Sequence, residues 1–161
     1  MGEFNAQGLA NTAWAFATAD QLHALLFAAL ARAAQRRVDE FNAQNLANTA
    51  WAFATADQSD ALLFAALARA AQRRVGEFNA QDLANTAWAF ATADQSHALL
   101  FAALARTAHR RVGEFNAQGL ANTAWAFATA SQWDVPLFAT LARAAEQCLG
   151  EFSAQNLANT A

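Results

Sequence analysis

Apolar side chains return along this chain at helical spacing, and they do so twice within each stretch of 37 residues. In the first stretch, Ala6 to about Ala19 puts Leu9, Ala10, Ala13, Trp14, Phe16 and Ala17 on one side at about 100° per residue. Gln7, residue 8, Asn11, Thr12, Ala15 and Thr18 fall on the other. A second segment, about Ala24 to Arg37, carries Leu26, Phe27, Leu30, Ala31 and Ala34 as its apolar stripe and turns Arg32 and Arg36 away. Asn5 stands where a side-chain oxygen caps free helical amides, and Phe4 and Leu9 have the spacing of a hydrophobic staple. About four residues, Asp20 to His23, remain for the loop. In the fourth stretch Pro136 follows Asp134 and Val135, which fits a helix capped by Asp134 with proline in its first turn. Gly76, Gly113 and Gly150 follow the second helix where a left-handed terminating residue is wanted. Asp39 replaces that glycine in the first junction and predicts a strained or bent turn there.

Phe4, Phe41, Phe78, Phe115 and Phe152 mark the repeat, with copies at about 3–39, 40–76, 77–113 and 114–150 and a partial one at 151–161. The second and third copies differ only at Asn45/Asp82, Asp60/His97, Ala70/Thr107 and Gln72/His109. Two amphipathic helices on a short loop cannot bury their apolar faces alone. The expected fold is therefore all-α, a right-handed α-solenoid of stacked hairpins with the first helices on its concave side. Trp14, Trp51, Trp88 and Trp125 are expected in the core rather than stacked on a ligand, so Trp51→Ala should cost about 3–5 kcal/mol. The sequence stops inside the fifth copy and reads as part of a longer array, with uncapped end faces able to pair one chain with another.

Composition narrows the chemistry. More than half of the residues are apolar, but much of that is alanine, so the core must be thin and close-packed. The formal charge is −3 and every fixed positive charge is arginine, so bulk charge announces no nucleic acid. Cys148 is the one cysteine and cannot by itself form a disulfide or a metal site. No apolar run approaches the roughly 18 residues of a membrane span. His23, His97 and His109 fall where other copies carry polar residues and have no ligand spacing. With no phosphate loop and no serine elbow, the expectation is a non-enzyme without metal or cofactor.

Recognition is then sought where near-identical copies vary. Position 8 of the unit is Gly8, Asn45, Asp82, Gly119 and Asn156, in the first turn of the first helix. Asn offers a donor and an acceptor, Asp acceptors only and Gly neither, so one residue per layer can read one base per layer, with Asn11, Asn48, Asn85 and Asn122 one turn further on. Capping explains Asn and Asp near a helix start equally well. The pairs Arg36-Arg37, Arg73-Arg74 and Arg110-Arg111 close the second helices on the same rim, either to hold phosphates or as ordinary C-terminal charge. Gln147-Cys148 replaces the pair in the fourth copy.

The string Gln44-Asn45-Leu46-Ala47-Asn48-Thr49-Ala50-Trp51-Ala52, the later Leu-Phe-x-x-Leu of the second helix and Pro136 resemble the octotricopeptide and heptatricopeptide repeats. They are also similar to the leucine-rich region of FAST-kinase-like and RAP-domain proteins. The resemblance covers nearly the whole chain, with Ala43, Ala80 and Ala117 standing where proline is common. It implies sequence-specific binding of single-stranded RNA in a chloroplast or mitochondrion, supporting RNA processing, stability or translation. A helical-repeat scaffold for protein partners and a structural or designed array without ligand are the alternatives.

Overall fold

A computed structural model describes residues 4–20 and 23–160, with side chains described as far as Glu151. The described residues form eight α-helices and no strand: α1 Ala6–Thr18, α2 Ala24–Arg37, α3 Ala43–Thr55, α4 Ala61–Arg74, α5 Ala80–Thr92, α6 Ala98–Arg110, α7 Ala117–Thr129 and α8 Val135–Thr160. Short 3₁₀ turns, Val38–Glu40, Val75–Glu77 and Val112–Glu114, join each even helix to the next odd one.

Each odd helix begins as its sequence dictates. The side chains of Asn5, Asn42, Asn79 and Asn116 accept from the amides of Gly8, Asn45, Asp82 and Gly119 at 2.7–2.8 Å. Phe41 and Phe78, one residue earlier, are fully buried beside Leu46 and Leu83, which fixes the direction in which the chain meets the helix. Asp60 and Asp134 cap α4 and α8 by accepting from Leu63 and Leu137 amides at 2.9 Å, and Pro136 sits in the first turn of α8.

The odd helices pack one upon the next, α1 on α3 on α5 on α7, while α2, α4, α6 and α8 form a second row in sparser contact. Alanine permits the close approach of the odd helices. Ala43, Ala47, Ala50, Ala52 and Ala54 are buried in α3, so its neighbours approach with little side chain between them. The rows are tied by edge-to-face phenylalanines, Phe27 with Phe53, Phe64 with Phe90 and Phe101 with Phe127, at 5.0–5.2 Å. Each pair joins the even helix of one hairpin to the odd helix of the next.

The junctions differ from expectation. No described glycine has positive φ, and the left-handed residues are Asp20, Asp57, Asp94 and Ser131, at φ 54–55°, directly after the odd helices. There the Gln58 amide reaches back to the Phe53 carbonyl at 2.9 Å and the Gln95 amide to Phe90 at 2.8 Å, so the left-handed turn belongs to the hairpin loop. Gly76 and Gly113 lie instead in 3₁₀ turns with no left-handed step, and the Asp39 turn has the same form as theirs. The first junction is thus neither bent nor strained relative to the others.

The fourth junction is absent. α8 continues through Gly150 to Thr160 where the earlier copies break. In those copies Arg37, Arg74 and Arg111 pair with Glu40, Glu77 and Glu114 across the 3₁₀ turn, and they also donate to the carbonyls of Phe4, Asp39 and Gly76 one layer back. Cys148 occupies the position of this arginine, leaving Glu151 without its counterpart, so nothing holds the turn against continued helix. The side chains of Phe152 and Asn156 lie outside the described residues.

Candidate nucleic-acid interface

The surface that could meet RNA follows from which side of each odd helix the packing leaves open. In α3 the residues not fully buried are Gln44, Asn48, Trp51 and Thr55, spaced four, three and four apart, which is one line along a helix. Gln81, Asn85, Trp88 and Thr92 repeat the line in α5, and Gln7, Asn11, Trp14, Thr18 and Gln118, Asn122, Trp125, Thr129 do so in α1 and α7. Four parallel helices thus present the same four side chains, rung by rung.

Asn11, Asn48, Asn85 and Asn122 belong to this open line as expected. Between the amino-terminal ends of α5 and α7 the carboxamides of Asn79, Gln81, Asn85, Asn116, Gln118 and Asn122, with Glu114, surround a cleft of about 460 Å³. Gln81, Asn85, Gln118 and Asn122 each offer a donor and an acceptor there, the pattern a base edge requires, while the Asn79 and Asn116 oxygens are held by the helix caps.

Position 8 is a correction. Asn45 and Asp82 are only 8% and 7% exposed, because the tightly packed odd helices close over the first turn. Neither opens onto a groove. Asp82 instead completes a capping box, its second carboxylate oxygen accepting from the Asn79 amide at 3.2 Å while its own amide donates to Asn79. Burial pushes its carboxyl above the ordinary range, and the Asn79 hydrogen bond only partly counters this. Gly8 and Gly119 are half-buried and offer no side chain. A Cβ at Gly119 would meet the Asn116 Oδ1 and Phe115 Cδ1 at 3.2 Å, so glycine relieves crowding at the cap.

The tryptophans are a second correction. They border the alanine seam but are not enclosed by it: Trp51 and Trp88 are half-buried and Trp14 and Trp125 about half exposed. Trp14, Trp51 and Trp88 form a ladder with ring centroids 6.5 and 6.4 Å apart and planes tilted by 32° and 31°. A helical projection centred on the alanines counts tryptophan as apolar and misses that its position lies at the margin of the stripe. Its spacing from Asn48 and Thr55, three and four residues, was the available signal. Gln44 and Gln81, whose equivalent Gln7 already falls on the polar side of the projection, join the line although the sequence named no role for them.

The arginine pairs divide by position. The second member of each, Arg37, Arg74 and Arg111, is half-buried and engaged by the glutamate and carbonyl contacts that hold the junctions. The first members are exposed. Arg73 meets Asp39 at 2.7 Å, whereas Arg36 and Arg110 have no acidic partner among the described residues. Around the loops, His97 packs edge-on against Phe90 at 5.7 Å, and burial, with the nearby Arg69 charge, holds it below the usual imidazole range. Among the described residues no group of three or more metal-ligating side chains occurs, and no helix is long and apolar enough to cross a membrane.

No curated protein matches the chain. Residues 1–158 match the family described as RNA-editing substrate-binding complex 6 protein. On a match spanning all but the last residues, the chain belongs to the RNA-editing substrate-binding complex 6 protein family.

Proposed function

We propose that the chain is a right-handed α-solenoid with a 37-residue period whose odd helices line the concave side and bind single-stranded RNA there. The closer approach of odd helices than of even ones supports that curvature. The observation that carries the reading is the open line of glutamine, asparagine, tryptophan and threonine repeated in four helices, taken with the family's RNA-editing description. Asn48 and Asn85, with the glutamines one turn earlier, address base edges, and the tryptophan ladder offers faces for stacking. Arg36 and Arg110 are the cations available to phosphates at the junction end of the odd helices. Arg73 joins them when it leaves Asp39. Asn45 and Asp82 act through the caps they complete rather than by touching a base.

The role in this reading is non-catalytic support of RNA processing, stability or translation in a chloroplast or mitochondrion, within an array that resembles octotricopeptide and heptatricopeptide repeats. Fluorescence anisotropy with 12-nucleotide single strands tests it. Asn48→Ala combined with Asn85→Ala should weaken binding at least about tenfold, the worth of one or two good base contacts. Because few free arginines face the strand, affinity should fall only shallowly with salt. Unchanged affinity in the double variant removes the carboxamide reading, and absence of RNA binding removes the proposal.

A protein-interaction scaffold is the second reading. The engagement of Arg37, Arg73, Arg74 and Arg111 by acidic groups and carbonyls favours it, since those charges are already satisfied within the chain. Protein partners retained after ribonuclease treatment would distinguish it.

A further inference from the structure

The row of even helices carries a surface that the RNA reading does not use. Leu25, Leu62 and Leu99 are 88%, 72% and 75% exposed at equivalent places in the first turns of α2, α4 and α6. Seven residues later on the same helical line stand Arg32, Arg69 and Arg106, all exposed, about 10 Å further along each axis. Three helices side by side thus make an aliphatic row and, parallel to it, a guanidinium row. α2, α4 and α6 contain no aspartate or glutamate at all, although the chain's net charge is −3. The acidic residues are gathered into the loops, the junctions, α5 and the α8 segment. Charge is therefore segregated, and this face is positive.

We infer that the even-helix face docks an acidic, amphipathic segment of a protein partner. Leucines standing free in water beside unpaired arginines suit a ligand that is itself two-sided, with apolar side chains on one flank and carboxylates on the other. A phosphate backbone would use the arginines and leave the leucine row wet. At the usual helix spacing the three helices span roughly 16–20 Å, the length of about 11–13 helical residues, so one short amphipathic helix lying across α2, α4 and α6 covers them. Guanidinium groups favour carboxylates by bidentate pairing, and the leucines supply the desolvated anchors.

The test uses the intact chain and a fluorescein-labelled 14-residue peptide with leucines along one helical face and glutamates beside them. A scrambled peptide of identical composition and a 14-nucleotide single-stranded RNA are the controls. The amphipathic peptide should bind at least tenfold tighter than its scramble and weaken as salt rises. Arg69→Gln with Arg106→Gln, and separately Leu62→Ser with Leu99→Ser, should each reduce its affinity at least tenfold, and RNA should not displace it. All four positions are exposed, and circular dichroism checks that the variants remain helical. Equal binding of the scramble, indifference to either pair of substitutions, or displacement by RNA would overturn the inference. The last result would assign the arginine row to phosphates.

Discussion

Asn45 and Asp82 stand in nearly identical buried surroundings and differ by one charge, which makes the pair an internal control. Asp82 holds its proton more tightly in the folded chain than in the unfolded one. Its contribution is therefore fully present below the ordinary value of 3.8 and is lost as pH rises through the raised folded value. Asp82→Asn should gain on the parent chain between pH 3 and pH 7 in urea denaturation, and a difference independent of pH would refute the assignment. The threonine hydroxyls report on the same first turn. Thr12 and Thr123 donate to the carbonyls of Gly8 and Gly119 at 2.7 Å, but Thr49 and Thr86, behind Asn45 and Asp82, are buried without a hydrogen-bond partner. Thr49→Val should stabilise by about 1 kcal/mol, because an isosteric methyl removes an unsatisfied hydroxyl. A loss of that size in chemical denaturation would mean that the hydroxyl is satisfied after all.

At the scale of the element, local signals were legible and long-range ones were not. Asn caps, Phe–Leu staples, the Asp57 to Asp60 loop and the Asp134-Val135-Pro136 helix start all follow from residues within one turn of each other. The burial of position 8 depends on how closely a neighbouring layer approaches, and polarity variation alone did not carry that distance. Gly76 and Gly113 suggested left-handed caps because glycine permits them, yet the left-handed step falls on Asp20, Asp57 and Asp94, where aspartate is among the few side chains that tolerate it, and on Ser131 in the fourth copy. Tryptophan and phenylalanine two residues apart also part company. Phe53 is enclosed against Phe27 and Phe53→Ala should cost about 3–5 kcal/mol, while Trp51→Ala, half open to solvent, should cost clearly less. Equal losses in paired denaturation curves would return the tryptophans to the core. The continuous α8 isolates the junction arginine: Cys148→Arg should restore the pairing with Glu151 and favour a break near Gly150, seen as loss of amide protection there.

For the whole molecule, the two rows of helices divide the chemistry between them. The odd row is uncharged along its open line and repeats one set of hydrogen-bonding and aromatic groups in four helices, while the even row holds the arginines. Repetition was plain in the sequence, and so was the all-helical fold. What it could not convey was which face each side chain would meet once layers closed, because spacing along the chain is silent on interhelical distance. If RNA lies on the odd face, identical rungs present the same contact in each layer, and a homopolymeric strand should be preferred over mixed sequence of equal length.

The placement of RNA is tested most directly by ultraviolet crosslinking of the intact chain to a single-stranded oligonucleotide, followed by mass-spectrometric mapping of the attached peptides. Crosslinks on α3 and α5 at Asn48, Trp51, Asn85 or Trp88 are predicted. Crosslinks confined to α2, α4 and α6, with the odd helices unmarked at saturating RNA, would contradict the account.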